Sequence, residues 1–332
     1  MMDPGRNGKK KHDREGIMKY AIISDVHGNY PALEAVLKDA AQQGATGYLF
    51  AGDYCISGPQ PDECIAAIRA IPEKHAIRGN EEKYLEDLAG KDQSQWTDGQ
   101  MQISYWCSRN IRGENLDYLL SLPRRDSFEC NGVRVHMAYS SVDFMGTYPF
   151  HTWNSVTVAD RNRRQDADPE KILAEMKTEQ ENDPAFREAV SGLEKGVYIF
   201  GHSHVQWSRQ DPDAEVYLIN PGSCGLPLDG IQDSIPYTIL EITEDGRVRI
   251  EERRLPFDKA AYIGMLQQTA QYREARVWTS VIMRELATAR EHMFFFLSFV
   301  KEYALSIGDE RRPYAVDTWE RAYAIWKGQQ EE

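Results

Sequence analysis

Short apolar runs alternate along the first half of the chain with segments whose apolar residues recur at helical spacing. Residues 20–23 form the first run and predict a buried strand, and residues 31–41, which open on a proline, predict a helix. The same order continues with predicted strands at 48–51, 76–78 and 197–200 and predicted helices over 61–71, 81–120 and 169–193. This alternation is typical of β/α units.

Hairpin signals follow these units. Residues 128–130 and 133–136 flank Asn131-Gly132, a pair that favours a two-residue β-turn. Three further apolar runs, at 216–219, 237–242 and 248–252, predict closing strands. Together the two patterns favour an α/β fold in which two sheets pack against each other with helices outside.

The pattern also divides the chain into three parts. Residues 1–17 are polar and basic, so we expect a disordered tail or an upstream-start extension rather than a nucleic-acid arm. Residues 18–255 form the α/β domain. Residues 256–332 carry no strand signal and predict a helical C-terminal extension, with helices over 257–271, 275–305 and 314–328.

One segment of this extension, residues 293–300, is apolar on every side of the predicted helix. A helix that is apolar all round is buried in a soluble protein. We therefore expect it to pack under the main domain. A lid over a site, and a subunit contact that would make the protein a homo-oligomer, are the alternatives.

Composition narrows the class of protein. A formal net charge of −13 argues against broad binding of DNA or RNA, which depends on Lys and Arg, but a small phosphate compound held by metals stays compatible. Five scattered cysteines make no disulfide framework and indicate a reducing compartment. The longest apolar stretch is shorter than the ~20 residues needed to cross a bilayer, and no apolar signal region is visible, so we expect a cytoplasmic protein without membrane contact.

Residues able to bind metal ions stand where the predicted strands end. In open α/β sheets the ligand sites lie beyond the carboxyl ends of the strands. Asp25 and His27 are two positions apart in an extended segment, so both side chains point to one side. The full set is Asp25, His27, Asp53, Asn80, His136, His202 and His204. A single aspartate at a strand end is usually a turn or capping residue, but such residues at every strand end indicate one site.

The segments around these residues resemble a known family. They are Ser24-Asp-Val-His-Gly-Asn29, Gly52-Asp53 followed by Gly58-Pro59, Ile77-Arg-Gly-Asn80, His136, Gly201-His-Ser-His204 and Asn220-Pro-Gly-Ser223. They are similar to the blocks of the calcineurin-like metallophosphoesterase superfamily, and resemble its bacterial YfcE-like phosphodiesterase and phosphatase branch. The resemblance covers residues 18–255 and implies a four-layer α/β/β/α sandwich of the metallo-dependent phosphatase type.

The resemblance also implies hydrolysis of a phosphate ester with two divalent metal ions. By analogy, Asp25, His27 and His204 hold the first ion, Asn80, His136 and His202 hold the second, and Asp53 bridges them. Carboxylate and imidazole ligands suit transition metals, with Mn²⁺ expected first and Fe, Zn, Co or Ni as alternatives. A water molecule bridging the ions would attack phosphorus, so Asp53 and Asn80 serve catalysis as ligands and no protein nucleophile is needed.

Two residues beside the ligands are candidates for contacts to the substrate. Asn29 and Arg78 could bind phosphate oxygens, or they could be an ordinary turn residue and an ordinary surface residue. Residues 139–165 carry five aromatic side chains and His151, which would rim the site and stack a nucleotide-type or other planar group, or would simply pack under a long loop.

One position departs from the family's pattern. Many members carry a histidine directly after the asparagine, where it helps to protonate the leaving group, and here Glu81 takes its place. A carboxylate with a pKa near 4.3 is a poor acid at pH 7 unless burial raises its pKa. We therefore expect hydrolysis of activated diesters and weaker hydrolysis of alkyl monoesters.

Two other interpretations stay open. A phosphoprotein phosphatase of the same family is disfavoured by the missing histidine. A non-catalytic metal-binding interaction scaffold of the same fold is disfavoured by the complete set of ligand residues.

Overall fold

The computed structural model describes residues 16–146, 154–163, 167–211 and 214–331. The strands are β1 (Met18–Ile23), β2 (Gly47–Phe50), β3 (Lys74–Ala76), β4 (Arg125–Cys130), β5 (Val133–Ala138), β6 (Gly196–Ile199), β7 (Gln206–Asp211), β8 (Val216–Pro221), β9 (Ser234–Ile242) and β10 (Val248–Pro256). The helices of the α/β part are α1 (Tyr30–Gln42), α2 (Pro61–Ala70), α3 (Glu81–Leu88), α4 (Gln102–Arg109), α5 (Gly113–Ser121), α6 (Val142–Met145), α7 (Ser155–Arg161), α8 (Pro169–Asn182) and α9 (Pro184–Ser191). The helices that follow are α10 (Lys259–Leu266), α11 (Ala270–Glu274), α12 (Arg276–Thr288), α13 (Met293–Ser306) and α14 (Val316–Glu331). The predicted disordered tail lies almost entirely outside the described residues.

The ten strands of the described chain form two mixed sheets of five strands each. The first has the order β10-β9-β1-β2-β3, with β1, β2 and β3 parallel and β9 and β10 antiparallel. The second has the order β4-β5-β6-β8-β7, with β5, β6 and β8 parallel. In each sheet the parallel strands are neighbours, so their carboxyl ends lie at the same end of the sheet.

The alternation of side chains along β1 shows how the layers are built. Ala21 and Ile23 face the helices α1 and α2, and Tyr20 and Ile22 face the second sheet. Successive strand residues point to opposite faces, so both faces of this strand are covered. Burying an aliphatic side chain of this size contributes roughly 1.5–3 kcal/mol, which explains why the run is apolar throughout.

The outer face of the second sheet is covered in the same way. Val158 of α7 and Phe186 of α9 pack with strand residues such as Tyr198 and Leu218. Helices therefore lie on both outer faces of the two packed sheets. The predicted four-layer α/β/β/α sandwich is confirmed.

The hairpin was predicted correctly, but its second strand is longer than expected. Asn131 and Gly132 both have positive φ (48° and 76°), as a type I′ turn requires. The strand β5 continues to Ala138, two residues beyond His136. The strand β7 was not predicted, because its sequence is polar and lies at the edge of the sheet.

After β10 the described chain is helical apart from connecting turns and one isolated bridge. The single helix predicted over 275–305 is two helices, α12 and α13. The break lies at Ala289, whose left-handed φ of 50° ends α12. Side-chain atoms of Glu285 then accept hydrogen bonds from the first free N–H groups of α13, at His292 and Met293 (2.8 and 2.7 Å). No helix in the described residues is long and apolar enough to span a bilayer.

The segment 293–300 is buried on one face only. Phe296 packs against Trp319 and Trp326, with ring centroids 4.8 and 5.2 Å apart, and is fully buried. Phe294, in contrast, is 52% exposed. The expectation of a helix buried all round is therefore wrong, and the exposed face of α13 borders the cavity described below.

Candidate metal centre

The loops that leave β1 and β2 run side by side beyond the sheet. Asp25 N donates to Gly52 O and His27 N donates to Asp53 O, both at 3.0 Å. A loop from the second sheet is tied to them, since Gly225 N donates to Asp25 O at 3.1 Å. Hydrogen bonds between main-chain atoms thus hold the candidate ligands of both sheets together.

The main chain at five of the predicted ligands is in an unusual conformation. Asp25, His27, Asp53, His202 and His204 all have positive φ, between 51° and 72°. Residues other than glycine adopt this region at a cost in free energy, although Asp and His tolerate it better than most. Such residues cluster at functional sites, where the surrounding structure maintains them.

Two histidines from different sheets face each other through their Nε2 atoms. His27 Nε2 lies 3.0 Å from His204 Nε2, and His204 Nε2 lies 3.4 Å from Asp25 Oδ1. Each Nδ1 lies near a main-chain carbonyl oxygen, Ile56 O for His27 (3.0 Å) and Leu226 O for His204 (2.7 Å). These bonds assign the proton of each neutral ring to Nδ1 and leave two Nε2 lone pairs and a carboxylate facing one point. A cation satisfies this arrangement, and orientation of ring nitrogens by carbonyl groups is typical of histidines that bind metals.

The pKa values of this pair fit a cation as well. Burial lowers the pKa of His27, but the negative charges of Glu81, Asp53 and Asp25 outweigh it and raise the pKa to about 10. Burial lowers the pKa of His204 to about 4. Without a metal ion, a proton held by His27 can bond to His204. A metal ion would displace that proton, so its affinity rises with pH.

A second group of ligand atoms lies on the other side of His27. It consists of His27, Asp53 and Glu81, whose ligand atoms all lie within 4.8 Å of one another. Asp53 Oδ1 accepts the N–H of Glu81 at 2.9 Å. The chain passes so close to Asp53 that a Cβ at Gly79 would lie 2.0 Å from Oδ1, so only glycine fits there.

The carboxylate of Glu82 organises this loop from beneath. It accepts the N–H groups of Asp53, Tyr54 and Gly79, at 3.1, 2.8 and 2.7 Å. Glu82 is fully buried, and burial raises its pKa although the three N–H groups lower it. Sequence reasoning missed this role, because a glutamate in the first turn of a helix is too common to be a signal.

The structure does not bring His136 to the site. Val135 and Met137 point into the core between the sheets, so the intervening His136 points to the opposite face of β5. There its ring stacks on Tyr198 with centroids 4.8 Å apart, and its Nδ1 lies 3.0 Å from Ser127 Oγ. The resemblance placed this histidine among the ligands of the second ion, and the side-chain direction rules that placement out.

Tyr139 occupies the place at the end of β5 instead. Its hydroxyl donates to Asp25 Oδ1 at 2.8 Å and also contacts Asp53 Oδ2. A phenol has one proton, so it can donate to only one of the two carboxylates. A cation beside them would relieve the electrostatic repulsion between the negative charges of Asp25 and Asp53. Burial, followed by the charge of Asp25, raises the pKa of Tyr139 well above its usual range.

His202 and Asn80 border the same cavity as these residues. The N–H of His202 lies 3.3 and 3.2 Å from the two carboxylate oxygens of Asp25, and its ring meets Tyr139 edge to face. Burial lowers the pKa of His202, which keeps the ring neutral and able to bind a metal. Asn80 is exposed and makes no side-chain cap for α3, so its amide is free to act as a ligand.

The two predicted substrate contacts have structural partners. Asn29 caps α1 by accepting the N–H of Ala32, and its amide donates to Gly225 O at 2.9 Å. Arg78 pairs with Glu86 at 3.3 Å. Neither residue lines the cavity that the described residues form at the site. The structure therefore favours the simpler interpretation of both.

A cavity of about 270 Å³ lies above these ligands. Its polar floor is formed by strand-end residues, namely His27, Asp53, Asn80, Glu81, Tyr139, His202 and His204. Its apolar wall is formed by Trp278, Ile282, Met293, Phe294 and Leu297 of α12 and α13. From the sequence, the rim was expected within 139–165, of which Tyr148, Phe150, His151 and Trp153 lie outside the described residues. A position over the site was only an alternative for the C-terminal helix over 293–300.

Fold and site together define a metallophosphoesterase-type centre at the joint edge of two sheets. The sequence model of the calcineurin-like phosphoesterase family matches residues 18–206. The chain belongs to this family.

Three known proteins are similar to this chain. An uncharacterized protein of Methanocaldococcus jannaschii, MJ0912, is 28% identical over 259 residues, which cover 73% of this chain and 89% of that protein. A metallophosphoesterase from Sphaerobacter thermophilus has a TM-score of 0.54 at 24% identity, covering 82% of this chain and 99% of its own. The protein PH1004 of Pyrococcus horikoshii OT3 has a TM-score of 0.50 at 16% identity, covering 83% and 100%. Because their sequence identity to this chain is low, these two structures support its fold and not its activity.

Proposed function

We propose that this chain hydrolyses a small phosphate ester with two divalent transition-metal ions, Mn²⁺ being the first candidate. Activated diesters are the preferred substrates and alkyl monoesters the poorer ones. Family membership gives the reaction class, and the donor set of the floor supports the metals.

One observation carries this proposal. The Nε2 atoms of His27 and His204 lie 3.0 Å apart, with Asp25 beside them, while carbonyl groups hold both Nδ1 atoms. If both rings were neutral, their Nε2 lone pairs would repel each other, and because the pKa of His27 is raised to about 10, a proton between the rings takes the place that a metal ion would occupy. A structural role alone would not require two buried histidines and a carboxylate to point at one place.

We assign the residues of the floor to two ions. Asp25, His27 and His204 would hold the first ion. Asn80 and His202 would hold the second ion, and Asp53 would lie between the two. Tyr139 takes the place that the resemblance assigned to His136. Bound metals would lower the pKa of a water molecule toward neutrality and so supply the nucleophile. Tyr139 orients the two aspartates, and Glu82 fixes the main chain that carries Asp53.

The leaving group receives little help from this chain. Glu81 lies where many relatives carry a proton-donating histidine, and its Oε2 lies 3.0 Å from His27 Nδ1. Burial raises the pKa of Glu81 above its usual value, although the neighbouring His27 lowers it in part. An acid engaged by a ligand histidine is poorly placed for donation, which supports the preference for leaving groups that need no proton.

The test combines metal analysis with a chromogenic diester. We expect the purified chain to hold about two transition-metal ions, to hydrolyse bis-4-nitrophenyl phosphate, to lose this activity on chelation and to regain it with Mn²⁺. H204A should lose metal and activity, while the matched control H75A, in which the altered histidine pairs with Asp126 away from the floor, should keep both. A chain without metal and without turnover would refute the proposal and favour the scaffold interpretation.

A further inference from the structure

We propose that the apolar wall selects phosphate esters whose second substituent is small, apolar and uncharged, such as a single aromatic ring. This inference rests on the proposed function and goes beyond it, because the wall belongs to the C-terminal helices and not to the residues matched by the family model. It disfavours the nucleotide-type substrate considered from the sequence.

The wall is attached firmly to the floor. Trp278 Nε1 donates to Ser57 Oγ at 3.1 Å, and Gln271 Nε2 donates to Ser57 O at 2.6 Å. Ser57 belongs to the loop that follows Asp53. A substrate whose phosphorus lies at the floor can therefore place its second substituent against α12 and α13, which border the same cavity.

The surface offered by the wall is apolar. Ile282 and Met293 are nearly buried, whereas Phe294 is 52% exposed and forms the rim. Leu226 and Leu228, from the loop before β9, also border the cavity. The ring of Phe294 meets that of Phe295 edge to face at 5.7 Å, and its exposed part is available for contact with an apolar group of the substrate.

The titratable groups along the wall are acidic, and burial raises the pKa of Glu285 well above its usual range. Glu285 and Glu291 border the cavity, and among the described lining residues there is no lysine or arginine. Both carboxylates are already engaged, Glu285 with the first N–H groups of α13 and Glu291 with Phe294 N and Ser155 Oγ. A substituent carrying a further negative charge would meet acidic groups and find no cation of the chain to pair with.

The cavity is small, although it is open to solvent. A volume of about 270 Å³ is just below the range for ligand pockets, which begins near 300 Å³. It accommodates a phosphate group and one ring. Burying a ring instead of a methyl group removes enough apolar surface from water for a gain of roughly tenfold in kcat/KM.

The experiment uses three diesters that share the 4-nitrophenolate leaving group and differ in the second substituent, which is methyl, phenyl or 4-carboxyphenyl. With the Mn²⁺-loaded wild type we expect kcat/KM to be roughly tenfold higher for phenyl than for methyl, and at least tenfold lower for 4-carboxyphenyl than for phenyl. Calorimetry gives the same comparison without turnover, with phenylphosphonate expected to bind roughly tenfold more tightly than methylphosphonate.

A charge exchange at the rim tests the wall itself. F294K should reduce the ratio of phenyl to 4-carboxyphenyl activity at least tenfold, because it removes apolar surface and adds a cation. L305K is the matched control, since Leu305 lies on the same helix, is 57% exposed and does not line the cavity, and it should keep the wild-type ratio. Equal kcat/KM for the three diesters, or an unchanged ratio in F294K, overturns this inference alone. No turnover of any diester by the loaded wild type overturns the proposed function and the inference with it.

Discussion

The polar floor and the apolar wall face the same cavity but are built differently. The floor consists of strand ends whose main chains are bonded to one another, with five residues held at positive φ. The wall consists of two helices joined at Ala289 and held by side-chain packing and by side-chain hydrogen bonds such as that of Trp278 to Ser57. Changes to the floor should therefore abolish chemistry for all substrates, and changes to the wall should alter which substrate is preferred.

The largest effect is expected for D53N. Asp53 is buried, and its carboxylate contacts Glu81 N and the Tyr139 hydroxyl. Loss of the charge that lies between the two proposed ions should lower kcat for every diester. We expect a decrease of more than roughly 100-fold, because substitution of a residue that only contacts a metal ligand already costs up to that much. Metal analysis should show a loss as well. D245N, at an exposed turn, is the control, and normal metal content and activity in D53N would contradict the proposed ligand set.

A smaller effect is expected for Y139F. Removing the hydroxyl leaves Asp25 and Asp53 without the group that orients them, which should weaken metal binding by about 10- to 100-fold. H136A should bind metal like the wild type, because His136 lies on the other face of β5. Titration with Mn²⁺ measures both. The reverse order of affinities would restore His136 as a ligand and remove Tyr139 from the floor.

For the wall, the informative change is E285A. It leaves the N–H groups of His292 and Met293 without their acceptor and should cost about 1–3 kcal/mol in free energy of unfolding. The first turn of α13 then loses the hydrogen bonds that hold it in place. We therefore expect KM for the phenyl diester to rise by a larger factor than kcat falls. E302A, at an exposed site on α13, should change neither quantity. A drop in kcat alone would mean that the wall takes part in the chemistry.

The smallest effect concerns pH. Burial, with Arg284 and Arg290 nearby, lowers the pKa of His292 to about 4. As the pH falls below about 6.5, the unfolded chain takes up a proton that the folded chain does not, so the stability contributed by this site falls between pH 6.5 and 4. H292Q should flatten this part of the curve of unfolding temperature against pH in metal-free protein. Parallel curves for the two proteins would show that His292 does not titrate in this way.

Most of the floor could be predicted because its residues follow directly from strand ends. The error at His136 arose from a strand predicted two residues too short. The alternation of Val133, Val135 and Met137 already indicates that odd-numbered positions face the core between the sheets, and Tyr139 continues that series. Side-chain direction along a strand was thus the missing criterion.

The wall could not be predicted in the same way. Periodicity indicates that α13 has apolar sides, but it does not say which neighbour covers them. That depends on Ala289, whose left-handed conformation has no sequence signal, and on contacts to Ser57 more than 200 positions away. Tertiary contacts of this kind decide the orientation of a helix regardless of its own pattern.

The facing histidines have a consequence for the cohesion of the chain. They are 177 positions apart and belong to loops of different sheets. An ion bound by both would act as a cross-link that closes a very long loop, and the entropy lost by the unfolded chain on such closure is worth about 5 kcal/mol for a permanent bond. All five cysteines of this protein are buried as free thiols. The metal would therefore provide the fastening between distant segments that disulfides provide in other proteins.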